Sequence, residues 1–262
     1  MSFIKVLPLL IILGTLLTGC PMRSQSGGYQ NYDKDRHVAA VVEVGVVAMN
    51  TGNYAKALEA LSEAEKMDPR NPNIKQQMGR TFFRMKEYDK ALTNYNEALV
   101  MNPKLTDVHN DLGLLYYETK EYAKAREEFN ICISDLSYGN SALSRFNLAL
   151  VEEAEGNTQA ASKIYQELIA SGEPSAAPYY RLAFLAYREA NYRHAADLLD
   201  AAVRIDPNSA DAYFLLGETY EKLELPDDAA QAYGQAVNLN AKSLRGIEAQ
   251  RRIREIMKDY KP

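Results

Sequence analysis

The chain has 262 residues, 25% of them charged, and a formal net charge of −5 at neutral pH. That acidic balance argues against a nucleic-acid surface, and the length suits one extended domain with a continuous core. Two cysteines, Cys20 and Cys132, and three scattered histidines, His37, His109 and His194, give neither a disulfide framework nor a metal-ligand spacing.

Residues 1–19 read as an export signal. Lys5 supplies a short positive region, and Val6 to Leu17 is almost wholly apolar. Twelve such residues are too few to span the ~30 Å hydrocarbon core of a bilayer as a helix. Leu17-Thr18-Gly19-Cys20 follows, and this ending resembles a bacterial lipobox. The resemblance implies that Cys20 is acylated and becomes the mature N-terminus, with several chains holding where one alone is marginal. Pro21, rather than aspartate, follows the cysteine. By resemblance to the sorting of Gram-negative lipoproteins, this implies the outer membrane, with the protein facing the periplasm. Residues 20–37 then form the lipidated cysteine and a flexible tether. Gly27 and Gly28 and the polar residues around them carry linker composition, with a reach of roughly 20 Å over about fifteen residues.

From Val38 onward one pattern returns six times. Gly45, Gly79 and Gly113 are 34 residues apart, and after a two-residue slip Ala149, Ala183 and Gly217 resume that period. Twelve residues beyond each comes an alanine: Ala57, Ala91, Ala125, Ala161, Ala195 and Ala229. Four further on stands a large apolar or aromatic residue: Leu61, Tyr95, Phe129, Tyr165, Leu199 and Tyr233. Such a period, with two helices per unit, predicts an all-α solenoid. The small residue lets the second helix of each pair approach, and Asp68-Pro69, Asn102-Pro103 and Asp206-Pro207 end their units.

These residues resemble the tetratricopeptide repeats, which implies a right-handed α-solenoid of six helix pairs plus a C-terminal capping helix. The units run 38–71, 72–105, 106–141, 142–175, 176–209 and 210–241, with the cap at 242–262. Repeat three departs, with Cys132 for alanine, Ser137 for proline and an insertion at Tyr138-Gly139-Asn140. The seam between repeats three and four is therefore the expected kink. Cys132 falls at a core-facing position of this family and is expected to be a buried structural thiol.

In this family the first helices line a concave groove. Carrying that frame over places Met49, Phe83, Leu114, Tyr117, Phe146, Leu150, Tyr180, Phe184, Tyr187 and Phe214 along it. Gln76, Arg80, Asn110, Glu218 and Glu221 fall in the same frame. An apolar, aromatic trough suits an amphipathic or apolar segment of another protein. In the cap, Leu244, Ile247, Ile253, Ile256, Met257 and Tyr260 are available to cover the last pair, and the other face is basic.

No Gly-x-Ser-x-Gly elbow or phosphate-cradling glycine loop occurs, so neither enzyme activity nor a cofactor is expected. A lipobox, a short tether and six such repeats together resemble the secretin pilotins of type IV pilus systems, the PilF/Tgl type. That resemblance implies a secretin subunit as partner, delivered to the outer membrane for multimerisation. The same architecture leaves open an adaptor for peptidoglycan hydrolases or for outer-membrane barrel assembly.

Overall fold

The computed structural model describes residues 26–172 and 174–259. The export signal and Cys20 lie outside the described residues, as do Tyr260 and the last two positions. Thirteen helices and no strand occur among the described residues. They form six pairs: α1 (Ser26–Asn50) with α2 (Tyr54–Met67), α3 (Pro72–Arg84) with α4 (Tyr88–Met101), and α5 (Thr106–Glu118) with α6 (Tyr122–Ser134). The series continues with α7 (Ser141–Ala154) and α8 (Thr158–Ala170), α9 (Ala176–Arg188) and α10 (Tyr192–Ile205), and α11 (Ala210–Lys222) and α12 (Pro226–Asn240). Helix α13 (Leu244–Asp259) packs on α12 and α11 as the cap.

The repeating small residues set how closely each pair packs. A Cβ at Gly79 would stand 2.5 Å from Tyr95, one at Gly113 2.5 Å from Phe129, and one at Gly217 2.6 Å from Tyr233. All six repeat alanines are fully buried, and so are their large partners four residues on. Each pair contributes one such plug, and the next pair covers it. The core is therefore a line of linked clusters rather than a central mass.

Every turn within a pair carries one residue in the left-handed region: Gly52, Lys86, Lys120, Gly156, Ala190 and Glu224, with φ between 58° and 84°. Glycine adopts this conformation freely, whereas the other four hold it at a cost of about 1 kcal/mol each. The helix endings follow the sequence: α2, α4 and α10 stop at Met67, Met101 and Ile205, each just before the Asp-Pro or Asn-Pro step.

Three structural features bear on the expectations. First, α1 starts at Ser26, inside the stretch read as a tether over 20–37. No proline interrupts 26–50, so a helix anchored by buried Val38 and Val42 extends backwards despite the glycines. Second, at the seam between repeats three and four, α7 packs on both α5 and α6. The insertion is absorbed in the loop, where Tyr138 donates to Asp107 (3.0 Å), Thr106 donates to Asp135 (2.5 Å) and Ser137 folds back on Asp135. Third, the cap covers the last pair through Ala249, Ile253 and Ile256, while Leu244, Ile247 and Met257 are exposed. Helix α13 presents one face inward, and those three side chains stand off it. Cys132 is fully buried, and burial pushes its thiol up to about 11.

Candidate partner-binding groove

The first helices of successive pairs lie side by side, with α1 on α3, α3 on α5, α5 on α7, α9 on α11 and α11 on α13. They line the inner face, and two clefts of about 310 Å³ open between them. One lies across repeats one to three, walled by Val46, Met49, Phe83 and Leu114. The other lies between α7 and α9, where the first helices draw apart, and is walled by Leu143, Phe146, Leu168 and Pro178.

The structure divides the ten groove residues into those with free surface and those without. Phe83, Leu114, Tyr117, Phe146, Leu150, Tyr180, Phe184 and Tyr187 are all half-buried. Phe83 and Leu114 share the first cleft, with Met49 at its wall, and Phe146 lines the second. Phe83, Tyr117 and Tyr187 each lean on the tyrosine that opens the next helix, Tyr88, Tyr122 and Tyr192, at ring separations of 5.8, 6.0 and 5.4 Å. Phe184 carries two guanidinium groups over its ring, Arg181 at 5.6 Å and Arg188 at 5.9 Å. Phe214 is different: it is buried against Tyr233, with Arg245 over the ring, and belongs to the last pair's core. Met49 is also buried, clustered with Ala48 and Ala57. A residue at a groove position of a terminal unit meets the cap or the end of the stack instead of open space.

Between the aromatics run polar rungs, which join Gln76, Arg80, Asn110 and Glu221 of the same frame to residues outside it, among them Asp111. Buried Asp111 on α5 accepts from Arg80 Nε (2.7 Å) and Gln76 Nε2 (2.8 Å) on α3. Burial lifts the Asp111 carboxyl above the ordinary carboxylate range, with Arg80 pulling the other way. Asn110 accepts from Ser144 and Asn147 on α7. Glu153 pairs with Arg181 two helices on (2.5 Å), and Glu221 pairs with Arg252 of the cap (3.3 Å). These rungs join successive first helices and fix the pitch of the inner face. The signal of the three charged rungs in the sequence is an opposite charge 28 or 31 residues away, an offset that the 34-residue period obscures.

No group of histidine, cysteine or carboxylate side chains able to hold a metal occurs among the described residues. No described helix is long and apolar enough to cross a membrane.

Family models of tetratricopeptide repeats match residues 48–93, 79–120 and 198–231. No curated protein matches the chain. Among solved structures, PilF of Pseudomonas aeruginosa is 23% identical at a TM-score of 0.70, over 84% of this chain and 99% of that one. PilW, described as a widely conserved type IV pilus biogenesis factor, is 17% identical at a TM-score of 0.71, over 81% of this chain and 98% of that one. Yeast Tom70 is 19% identical at a TM-score of 0.68, but this chain spans about half its length (47%). Proteins built from such repeats bind protein partners, and the chain described here folds as a tetratricopeptide-repeat solenoid.

Proposed function

We propose that this protein is a lipid-anchored scaffold of the outer membrane, facing the periplasm, which binds secretin subunits of a type IV pilus channel in its groove. The observation that carries this reading is that the solenoid spans almost the whole of PilF and PilW, with little of either left over. The lipobox-like Leu17-Thr18-Gly19-Cys20 supports it from the other end of the chain. The mechanism needs no enzyme chemistry and no cofactor. Half-buried rings at Phe83, Tyr117, Phe146, Tyr180, Phe184 and Tyr187 cover an apolar segment of the subunit and keep it from aggregating. The acyl chains hold the complex where assembly takes place, and contacts between subunits then displace the groove.

Phe184→Glu is expected to weaken partner capture about tenfold or more, because it puts a carboxylate into an aromatic contact. The variant keeps its fold, since Phe184 is only half-buried. A pull-down from detergent-solubilised membranes, read by mass spectrometry, checks this. Secretin retained by the intact protein and lost with Phe184→Glu supports the reading; a hydrolase or a barrel-assembly component in its place overturns the pathway. Cys20→Ala is expected to release the protein into the soluble periplasmic fraction, and unchanged membrane fractionation would refute the anchor.

A further inference from the structure

Three tyrosines plug helix pairs at the same place in the repeat, and their hydroxyls meet different fates. Tyr165 donates to Glu153 (3.2 Å), and Tyr233 donates to Glu221 (3.0 Å). Each of these acids stands twelve residues before its tyrosine, on the first helix of the same pair. Before Tyr95 that place belongs to Phe83. Tyr95 is 1% exposed, and its hydroxyl takes no hydrogen bond from the described residues; no buried polar side-chain atom is left unpaired among them, so this hydroxyl keeps a small exposed area. The hydroxyl opens on the first cleft, which Tyr95 lines together with Phe83, Arg84 and Leu114.

Two arginines at this cleft also hold donors with no acceptor among the described residues. Arg80 gives its Nε to Asp111, and its terminal nitrogens carry no bond among the described residues. Arg84 is exposed and forms no ion pair among the described residues. Asp111, the acid of the cleft, accepts from Arg80 and Gln76 on Oδ2. Three donors therefore converge where the fourth and sixth repeats each place their own glutamate.

We infer that this cleft takes a carboxylate side chain flanked by apolar residues, presented by the protein segment that the groove holds. The carboxylate fills the place that Glu153 and Glu221 hold in their repeats, accepting from the Tyr95 hydroxyl with Arg84 beside it. Its apolar neighbours rest on Val46, Met49, Phe83 and Leu114. Arg80 and Asp111 offset each other, so Arg84 leaves the cleft with one positive charge, which favours an acid over a base; burial keeps the phenol protonated, so it serves as a donor. The inference rests on the groove as the partner site and specifies what that partner must carry.

The test selects a displayed library of random dodecapeptides on the full-length protein in detergent. Enriched peptides should carry Asp or Glu beside Leu, Met or Phe. Changing that acid to its amide should weaken binding about tenfold, the size expected for a hydrogen bond to a charged group. Tyr95→Phe keeps the ring that packs at Gly79 and removes one oxygen; it should weaken the acidic peptide about tenfold and leave the amide peptide unchanged. Arg84→Glu, an exposed change, should abolish the acidic preference. Enriched peptides without an acid, or equal weakening of both peptides by Tyr95→Phe, would overturn this inference alone. No enrichment at all would overturn the groove reading with it.

Discussion

Gly79→Leu is expected to lower the free energy of unfolding by about 3 kcal/mol, the upper part of the usual range for overpacking. A Cβ at this position already meets Tyr95 at 2.5 and 2.6 Å, and those atoms belong to a ring held at 1% exposure between two pairs. The ring cannot swing aside without opening the cluster of Ala91, Ala98, Val108 and Leu112 behind it. Alanine occupies the equivalent place at Ala149 and Ala183, so Gly79→Ala is expected to cost less. Denaturant unfolding followed by circular dichroism measures both variants. A leucine variant as stable as the parent would show that the α3–α4 pair is not held by this contact.

Arg80→Met is expected to cost about 2 kcal/mol at pH 7 and less at pH 4. Breaking a buried pair by removing one partner costs about 3–5 kcal/mol. Arg80's own side chain is 35% exposed, so solvent screens part of that. The carboxylate left behind at Asp111 keeps only Gln76. The direction with pH follows from proton linkage. Burial already raises the Asp111 carboxyl above its ordinary value, so the folded protein binds this proton more tightly than the unfolded chain. Such a group costs stability once pH exceeds its unfolded value, and the cost fades as pH falls. Losing Arg80 removes the main influence that lowers this pKa, which enlarges the cost at neutral pH and leaves little change in acid. Equal losses at both pH values would mean that the Asp111 charge is not what Arg80 balances.

Much of the fold was legible because one spacing does several jobs. The period of Gly45, Gly79 and Gly113 marks where helices cross, and the alanine twelve residues on marks the facing contact. Both follow from the volume available between two packed helices, which sequence reports directly. The frame that a resemblance supplied sets Phe83, Tyr117 and Phe184 on first helices, where they are half-buried. It failed at Phe214, because burial there depends on α13 and Tyr233, not on the residue's place in its own repeat.

Local chemistry decided the helix pairs, their order and their turns, since each unit's contacts lie within 34 residues and repeat. Tertiary structure alone decided the rest. Glu153 reaching Arg181, Asp111 reaching Arg80, and the Tyr95 hydroxyl facing an open cleft depend on which side chains of separate units meet across the inner face. A period records where backbones pack; it carries no information on which polar group is left without a partner once they have.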